Sequence, residues 1–177
     1  MNKLDYKKAF KELYLPKNSP SIIDVPSMTF AIIDGEGDPN GEAFKLATEA
    51  LYSFSYSVKM SYKSNFKYSI MIRQPDFLTE ELFERFITEA KNKKANAYID
   101  KIRFDAITEG LCCQMLHIGS YDAEPESFEI MRQFCRDNGY ERTCLKHREI
   151  YLSDPRKTEV HKLKTVLRFN VRKIQYI

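Results

Sequence analysis

The residues best suited to chemistry lie near the end of the chain, in His147-Arg-Glu-Ile-Tyr-Leu-Ser-Asp-Pro-Arg156. This run predicts a short strand entering a Ser-Asp-Pro turn. Alternation puts Arg148, Ile150 and Leu152 on one face and His147, Glu149 and Tyr151 on the other. A carboxylate and a phenol therefore share one strand face. Glutamate is disfavoured mid-strand, and a carboxylate buried without a partner is costly. Something must compensate Glu149: a protein cation such as Arg148, Arg168 or a nearby lysine, or a ligand. Tyrosine is amphipathic and common at binding surfaces, so Tyr52, Tyr56 and Tyr68 join Tyr151 as candidates. Tyr52 and Tyr56 form an i, i+4 pair. Tyr68 shares its strand face with Ile70 and Ile72, so it can equally be core.

Other constellations carry less. His117, His147 and His161 are dispersed and do not make a metal site. No Ser-His-Asp or Cys-His pairing can be read out. Asp34-Gly-Glu-Gly-Asp38 lacks EF-hand spacing and has no Lys-Ser/Thr phosphate loop; its composition predicts a turn. Cys112, Cys113, Cys135 and Cys144 match no C-x-x-C pattern. Cys112 and Cys113 face opposite sides of a strand and read as small core residues. No metal and no cofactor is expected.

The elements that must position these groups follow from periodicity. Leu4, Phe10 and Leu13 suggest a helical segment ending at Pro16 and packing loosely on the body. Ser21 to Ile33 is β-like. A helix from about Glu42 to Lys59 carries the stripe Phe44, Ala47, Leu51, Phe54 and Val58. Lys67 to Arg73 is a strand, with Tyr68, Ile70 and Ile72 on one face and Ser69 and Met71 on the other. Thr79 is an N-cap, with Glu80, Glu81 and Glu84 suiting the positive helix end. Ile102 to Ile107 and Leu111 to Ile118 look like a hairpin around Glu109-Gly110. Glu124 to Asn138 is a helix closed by Gly139. Glu149 to Leu152 and Thr165 to Val171 complete the sheet. The result is an α+β protein with an antiparallel sheet, helices on one face and the other face free to form a cleft.

At 177 residues the chain reads as a single domain, 1–177, built from two halves that rhyme weakly. That length buries roughly 70% of the surface the unfolded chain exposes. No run approaches the ~18 apolar residues of a membrane span, and the polar N-terminus is not a secretory signal. A cytoplasmic location with reduced thiols is expected. The net charge of +3 is too small to argue for nucleic acid. Nine Lys/Arg between Lys146 and Lys173 are scattered over strand and turn without a recognition helix, which reads as a solvated surface.

Seven blocks in order carry a resemblance: Ile23-Asp-Val-Pro-Ser-Met28, Ile33-Asp-Gly-Glu-Gly-Asp-Pro39, Ala50-Leu-Tyr-Ser-Phe-Ser-Tyr56, Gln74-Pro-Asp-Phe77, Glu109-Gly-Leu-Cys112, Leu116-His-Ile-Gly-Ser-Tyr-Asp122 and Glu149-Ile-Tyr-Leu-Ser-Asp-Pro-Arg156. Together, over roughly residues 3 to 169, the chain resembles the stand-alone GyrI-like small-molecule-binding proteins. The resemblance implies two tandem β-α-β-β (SHS2-type) modules related by a pseudo-twofold axis, at about 21–76 and 100–172, with a connecting helix at about 79–94. It implies a cleft for amphiphilic or cationic aromatic molecules, with Glu149 matching the cleft glutamate. Tyr52, Tyr56 and Tyr151 lie in matching motifs, and Tyr68 and Met71 complete the candidate ligand-binding set. The chain departs from the family pattern in one place. Val58 to Lys67 bridges a gap that usually holds a Pro-Leu-Glu-Gly-Leu-Trp-Trp-like run, and the chain has no tryptophan. The first module is therefore expected to be shortened.

In such a cleft, a glutamate among aromatics has a raised pKa unless a cation sits nearby. A lipophilic cation gains there from the carboxylate and from aromatic faces, each face contributing about 0.5–2 kcal/mol. Glu149 could also act as a general acid or base on a bound electrophile. Relatives of this kind resemble hydrolases that open strained cyclopropane rings of DNA-alkylating natural products. Three readings follow: a binding protein for amphiphilic or cationic aromatic molecules, a hydrolase with Glu149 as its catalytic group, or a regulatory protein-interaction module. Only about 20 residues precede the first strand, which argues against a built-in helix-turn-helix. Edges left by the missing segment could pair two chains into a homodimer.

Overall fold

Pro26 splits the apolar run 21–33 in two, because proline has no N–H to give a sheet ladder. The computed structural model describes residues 6–37, 41–54, 66–93 and 96–175. In chain order its elements are α1 (Tyr6–Ala9), α2 (Lys11–Tyr14), β1 (Ser21–Val25), β2 (Met28–Gly37), α3 (Glu42–Phe54), β3 (Phe66–Arg73), α4 (Glu80–Lys93), β4 (Arg103–Ile107), β5 (Gly110–Ile118), α5 (Glu124–Asp137), β6 (Tyr140–Arg142), β7 (Arg148–Tyr151) and β8 (Lys164–Lys173). All pairings are antiparallel, and helices pack on the sheets, so the protein is α+β as expected. The chain forms two compact units. Unit 1 joins Met1–Pro26 to Glu109–Ile177, and unit 2 is Ser27–Thr108.

Among the described residues, unit 2 holds a three-stranded sheet in the order β3-β2-β4. Ala31 lies opposite both Ile72 and Phe104, and Ile33 opposite Ile70, so these side chains share one face. Ala47, Ala50 and Leu51 of α3 and Phe83 and Ile87 of α4 pack on that face. Thr79 caps α4 as expected, its Oγ1 accepting from the Leu82 N–H at 3.3 Å. The expected turn at Asp34-Gly-Glu-Gly is instead strand, the end of β2. Glycine there makes room for a ring rather than a turn. A Cβ on Gly35 would stand 2.6 Å from Tyr68 Cε2, and Tyr68 packs edge-on against Phe44 at 4.9 Å.

The expected hairpin of β4 with β5 does not form. β4 pairs with β2, whereas β5 pairs with β1 and β8. Two cores compete for these strands. Phe104 of β4 stacks on Phe83 in unit 2, and Cys113 and Met115 of β5 belong to the core of unit 1. Likewise β1 belongs to unit 1 through β5.

Unit 1 is a sheet in the order β1-β5-β8-β6, with β7 also on β8. β6 and β7 share one side of β8, at 171–173 and 165–168 respectively. Cys113, Met115, Leu167, Phe169 and Val171 meet Met131 and Cys135 of α5. Each large apolar side chain so buried is worth about 1.5–3 kcal/mol. Pro125 stands in the first turn of α5, where a missing N–H costs nothing. Gly139 ends it with φ +73°, the left-handed conformation that glycine tolerates. The opposite face of the sheet holds Arg168, only 1% exposed. Its guanidinium meets Glu109 Oε2 at 2.9 Å, Gln114 Oε1 at 3.0 Å and the Leu13 carbonyl at 2.8 Å. Gln114 Nε2 donates to the Glu12 carbonyl at 2.6 Å. The N-terminal segment is therefore clamped rather than loose. The free carbonyls at the end of a one-turn helix need donors, and buried Arg168 and Gln114 supply them.

Candidate functional site

The register of β7 on β8 sets the site. Glu149 lies opposite Leu167 and Tyr151 opposite Thr165, and on β5 the same rows continue to Met115 and His117. Paired residues project to the same side of a sheet. Glu149, Tyr151 and Thr165 therefore rise on the side that α5 covers. Arg148 goes the other way, where it meets Glu109 at 2.8 Å. Both arginines that the sequence offered to Glu149 thus bind Glu109.

Glu149 finds its partners on its own strand face. His147 Nε2 lies 3.0 Å from Oε1, and the Tyr151 hydroxyl donates to Oε2. Burial pushes the Glu149 carboxyl up. The hydrogen bonds from His147 and Tyr151 outweigh that and hold it below the usual glutamate range. The sequence called for a group to compensate Glu149, and His147 and Tyr151 fill that place, so the rise expected of an uncompensated glutamate does not occur. The Tyr151 phenol is driven well up by burial and then by the Glu149 charge, so it stays a donor. Tyr121 closes edge-on against Tyr151 at 5.6 Å and 82°, and Phe128 of α5 packs edge-on against His147 at 5.0 Å.

A second carboxyl stands beside this pair. Glu124, the first residue of α5, is 6% exposed. Burial, and then the negative charge of Glu149, push it up to about 8. The nearby Thr165 hydroxyl eases that rise without reaching hydrogen-bond geometry, and Glu124 Oε1 and Thr165 Oγ1 are both buried without a hydrogen-bond partner among the described residues. Near neutral pH one carboxyl of this pair is ionised and the other protonated. Such a split fits one group for charge recognition and the other for proton exchange.

His117 is held on both sides. Its Nε2 lies 2.9 Å from the Ser120 carbonyl, which can only accept, so Nε2 carries a proton. Nδ1 lies 2.9 Å from Ser127 Oγ. Among the described residues no group of three or more His, Cys, Asp or Glu could hold a metal ion.

A model of the GyrI-like small-molecule-binding domain matches residues 18–172. The chain belongs to this family. Among solved structures, a conserved protein from Listeria innocua is 32% identical, with a TM-score of 0.88 over 96% of this chain and 100% of that one. A hydrolase from Listeria innocua is 34% identical, with a TM-score of 0.85 over the same shares. The EcmrR C-terminal domain, 17% identical, shares the fold with a TM-score of 0.62 over 88% of this chain and 98% of that one. No functionally curated protein matches.

Within this GyrI-like chain the structure brings together two of the predicted site residues, Glu149 and Tyr151. Tyr68 and Met71 are half-buried on β3 of unit 2. Tyr52 lies on α3, but its side chain is outside the described residues, as are Tyr56 and nearly all of the segment expected to be shortened. Three site residues escaped the sequence reading: Glu124, Tyr121 and His147 as a partner of Glu149. Glu124 looks ordinary in sequence because an acid in the first turn of a helix is simply favourable. The available signal was the Tyr121-Asp-Ala-Glu-Pro125 entry into α5, where a proline fixes the start and so the direction of the preceding acid.

Proposed function

We propose that the protein binds amphiphilic, cationic aromatic small molecules, with Glu149 as counter-charge and Tyr121 and Tyr151 as aromatic walls. One observation carries this reading. A half-buried carboxylate, its side chain 22% exposed, is held in the ionised form by His147 and Tyr151 rather than neutralised by arginine. Each carboxylate oxygen retains acceptor capacity beyond those two contacts. A planar cation over a tyrosine face gains a further ~0.5–2 kcal/mol. Membership of a small-molecule-binding family supports the same reading. Titration calorimetry with 10-methylacridinium and neutral acridine at pH 7.5 tests it. The cation should bind more tightly than acridine, and Glu149→Gln should weaken it by about tenfold or more. Equal affinity for both acridines, or an unchanged affinity in Glu149→Gln, would overturn it.

A second reading is favoured by the Glu124–Glu149 pair and by similarity to a hydrolase. In it, Glu149 orients or activates water against a strained cyclopropane-type electrophile, and a neutral donor, Glu124 or a tyrosine, protonates the leaving group. Mass spectrometry of a cyclopropane-bearing alkylator incubated with the protein decides it: no hydrolysis product above the buffer control removes this reading.

A further inference from the structure

We propose that Glu124 and Thr165 form a second subsite that accepts an N–H of a protonated amine or amidinium on the ligand, so that N–H-bearing cations are preferred over quaternary ones. The inference rests on cation binding at Glu149 and assigns the rest of the ligand's chemistry.

Glu124 is 6% exposed and Thr165 is 1% exposed, yet Glu124 Oε1 and Thr165 Oγ1 have no hydrogen-bond partner among the described residues. Buried polar atoms in native proteins are almost always paired, and an unpaired one calls for an explanation. The neighbouring groups are already committed. His117, on the same row of the sheet as Thr165, is taken by Ser127 and the Ser120 carbonyl. Glu149 and Tyr151, from β7, are bonded to each other, and His147 takes the second Glu149 oxygen. Tyr121, from the turn before α5, packs on Tyr151. What remains is a carboxyl oxygen and a hydroxyl beside an aromatic pair and a carboxylate, both buried and neither in a hydrogen bond among the described residues. A ligand that supplied only positive charge would leave both atoms unpaired. A ligand N–H placed there satisfies them.

The arrangement also fixes a proton. With its pKa pushed up to about 8, Glu124 is mostly protonated at pH 7. A cationic N–H donor favours the carboxylate, so Glu124 gives its proton to the buffer as the ligand binds. Binding of such a cation at pH 7 therefore releases close to one proton, and binding of a cation without N–H releases less.

The test uses the full chain and two planar monocations, 9-aminoacridine, which carries amidinium-type N–H donors, and 10-methylacridinium, which has none. Titration calorimetry in phosphate and in Tris at pH 7 separates proton release from binding through the different ionisation heats of the buffers. The expected results are an affinity for 9-aminoacridine about tenfold higher than for 10-methylacridinium, and a buffer-dependent heat for 9-aminoacridine matching nearly one proton released. Glu124→Gln should abolish the buffer dependence while leaving 10-methylacridinium bound, and Thr165→Val should reduce the preference. A wild-type heat independent of buffer, or a preference and proton release that survive in Glu124→Gln, overturns the inference. If Glu149→Gln weakens both cations while Glu124→Gln changes neither preference nor heat, only this subsite fails. If Glu149→Gln changes neither affinity, the proposed function fails with it.

Discussion

Replacing Glu124 with glutamine should make the protein more stable, and increasingly so as pH rises. The carboxyl is almost fully buried and its pKa is lifted from the ordinary 4.5 to about 8. The folded state therefore holds a proton that the unfolded chain gives up above pH 4.5. Wherever the native state binds more protons than the unfolded state, stability falls with rising pH. The penalty is absent below pH 4.5, builds between 4.5 and about 8, and is complete above. The full gap is about 3.5 pH units, which at ~1.36 kcal/mol each amounts to about 5 kcal/mol, with roughly 3 kcal/mol of it present by pH 7. Glutamine imitates the protonated acid in size and cannot ionise, so it escapes the penalty. Urea unfolding of both proteins from pH 4.5 to 9 measures it. The stability difference should grow with pH to several kcal/mol and level off above pH 8. A difference that stays flat across this window would refute the claim that Glu124 is a desolvated acid beside a negative charge.

Further expectations follow from the same contacts. Tyr151→Phe removes one of the two donors that hold Glu149 ionised, so the Glu149 pKa should rise toward the ordinary value; a carboxyl-carbon NMR titration checks this, and a pKa that does not move upward contradicts it. Arg168→Met strips Gln114 and the Leu13 carbonyl of a donor and leaves Glu109 with Arg148. The loss should be about 3–5 kcal/mol by urea unfolding, and a loss under about 1 kcal/mol would show the clamp to be dispensable. Gly35→Ala drives a methyl into the Tyr68 ring and should cost about 1–3 kcal/mol; an equal cost in a Tyr68→Ala background would mean the ring is not the obstacle.

Periodicity located the long helices because α3, α4 and α5 each bury one stripe, whereas β5 and β8 bury both faces and showed as apolar runs. The Thr79 cap, the Gly139 stop and the alternation about Glu149 are local properties, written in neighbouring residues and visible without coordinates. Partner choice was not visible. Nothing local in Arg103–Ile107 distinguishes pairing with β5 from pairing with β2; that depends on which core takes Phe104. The Asp34-Gly-Glu-Gly run misled for a similar reason, since glycine serves both turns and close ring packing, and only Tyr68 on another strand decides. At the site, Glu149 stood out because a mid-strand acid is anomalous, whereas Glu124 was hidden because an acid opening a helix is routine. Alternation puts His147 on the face of Glu149 but does not show their contact, because it gives direction and not reach.

The discontinuity of unit 1 has a consequence for how the protein is made. β1 pairs with β5 some ninety positions away, Ser21 meeting Gln114, and β5 in turn needs β8, at the far end of the sequence. During synthesis β1 must wait for both, while Ser27–Thr108 already holds β2, β3 and β4, the described strands of its own sheet. Long-range pairings are slow to form because chain closure must precede any reward. The unit that carries Glu149 and Glu124 therefore completes its sheet only after β8 has been made, and β1 stays available to mistaken partners until then.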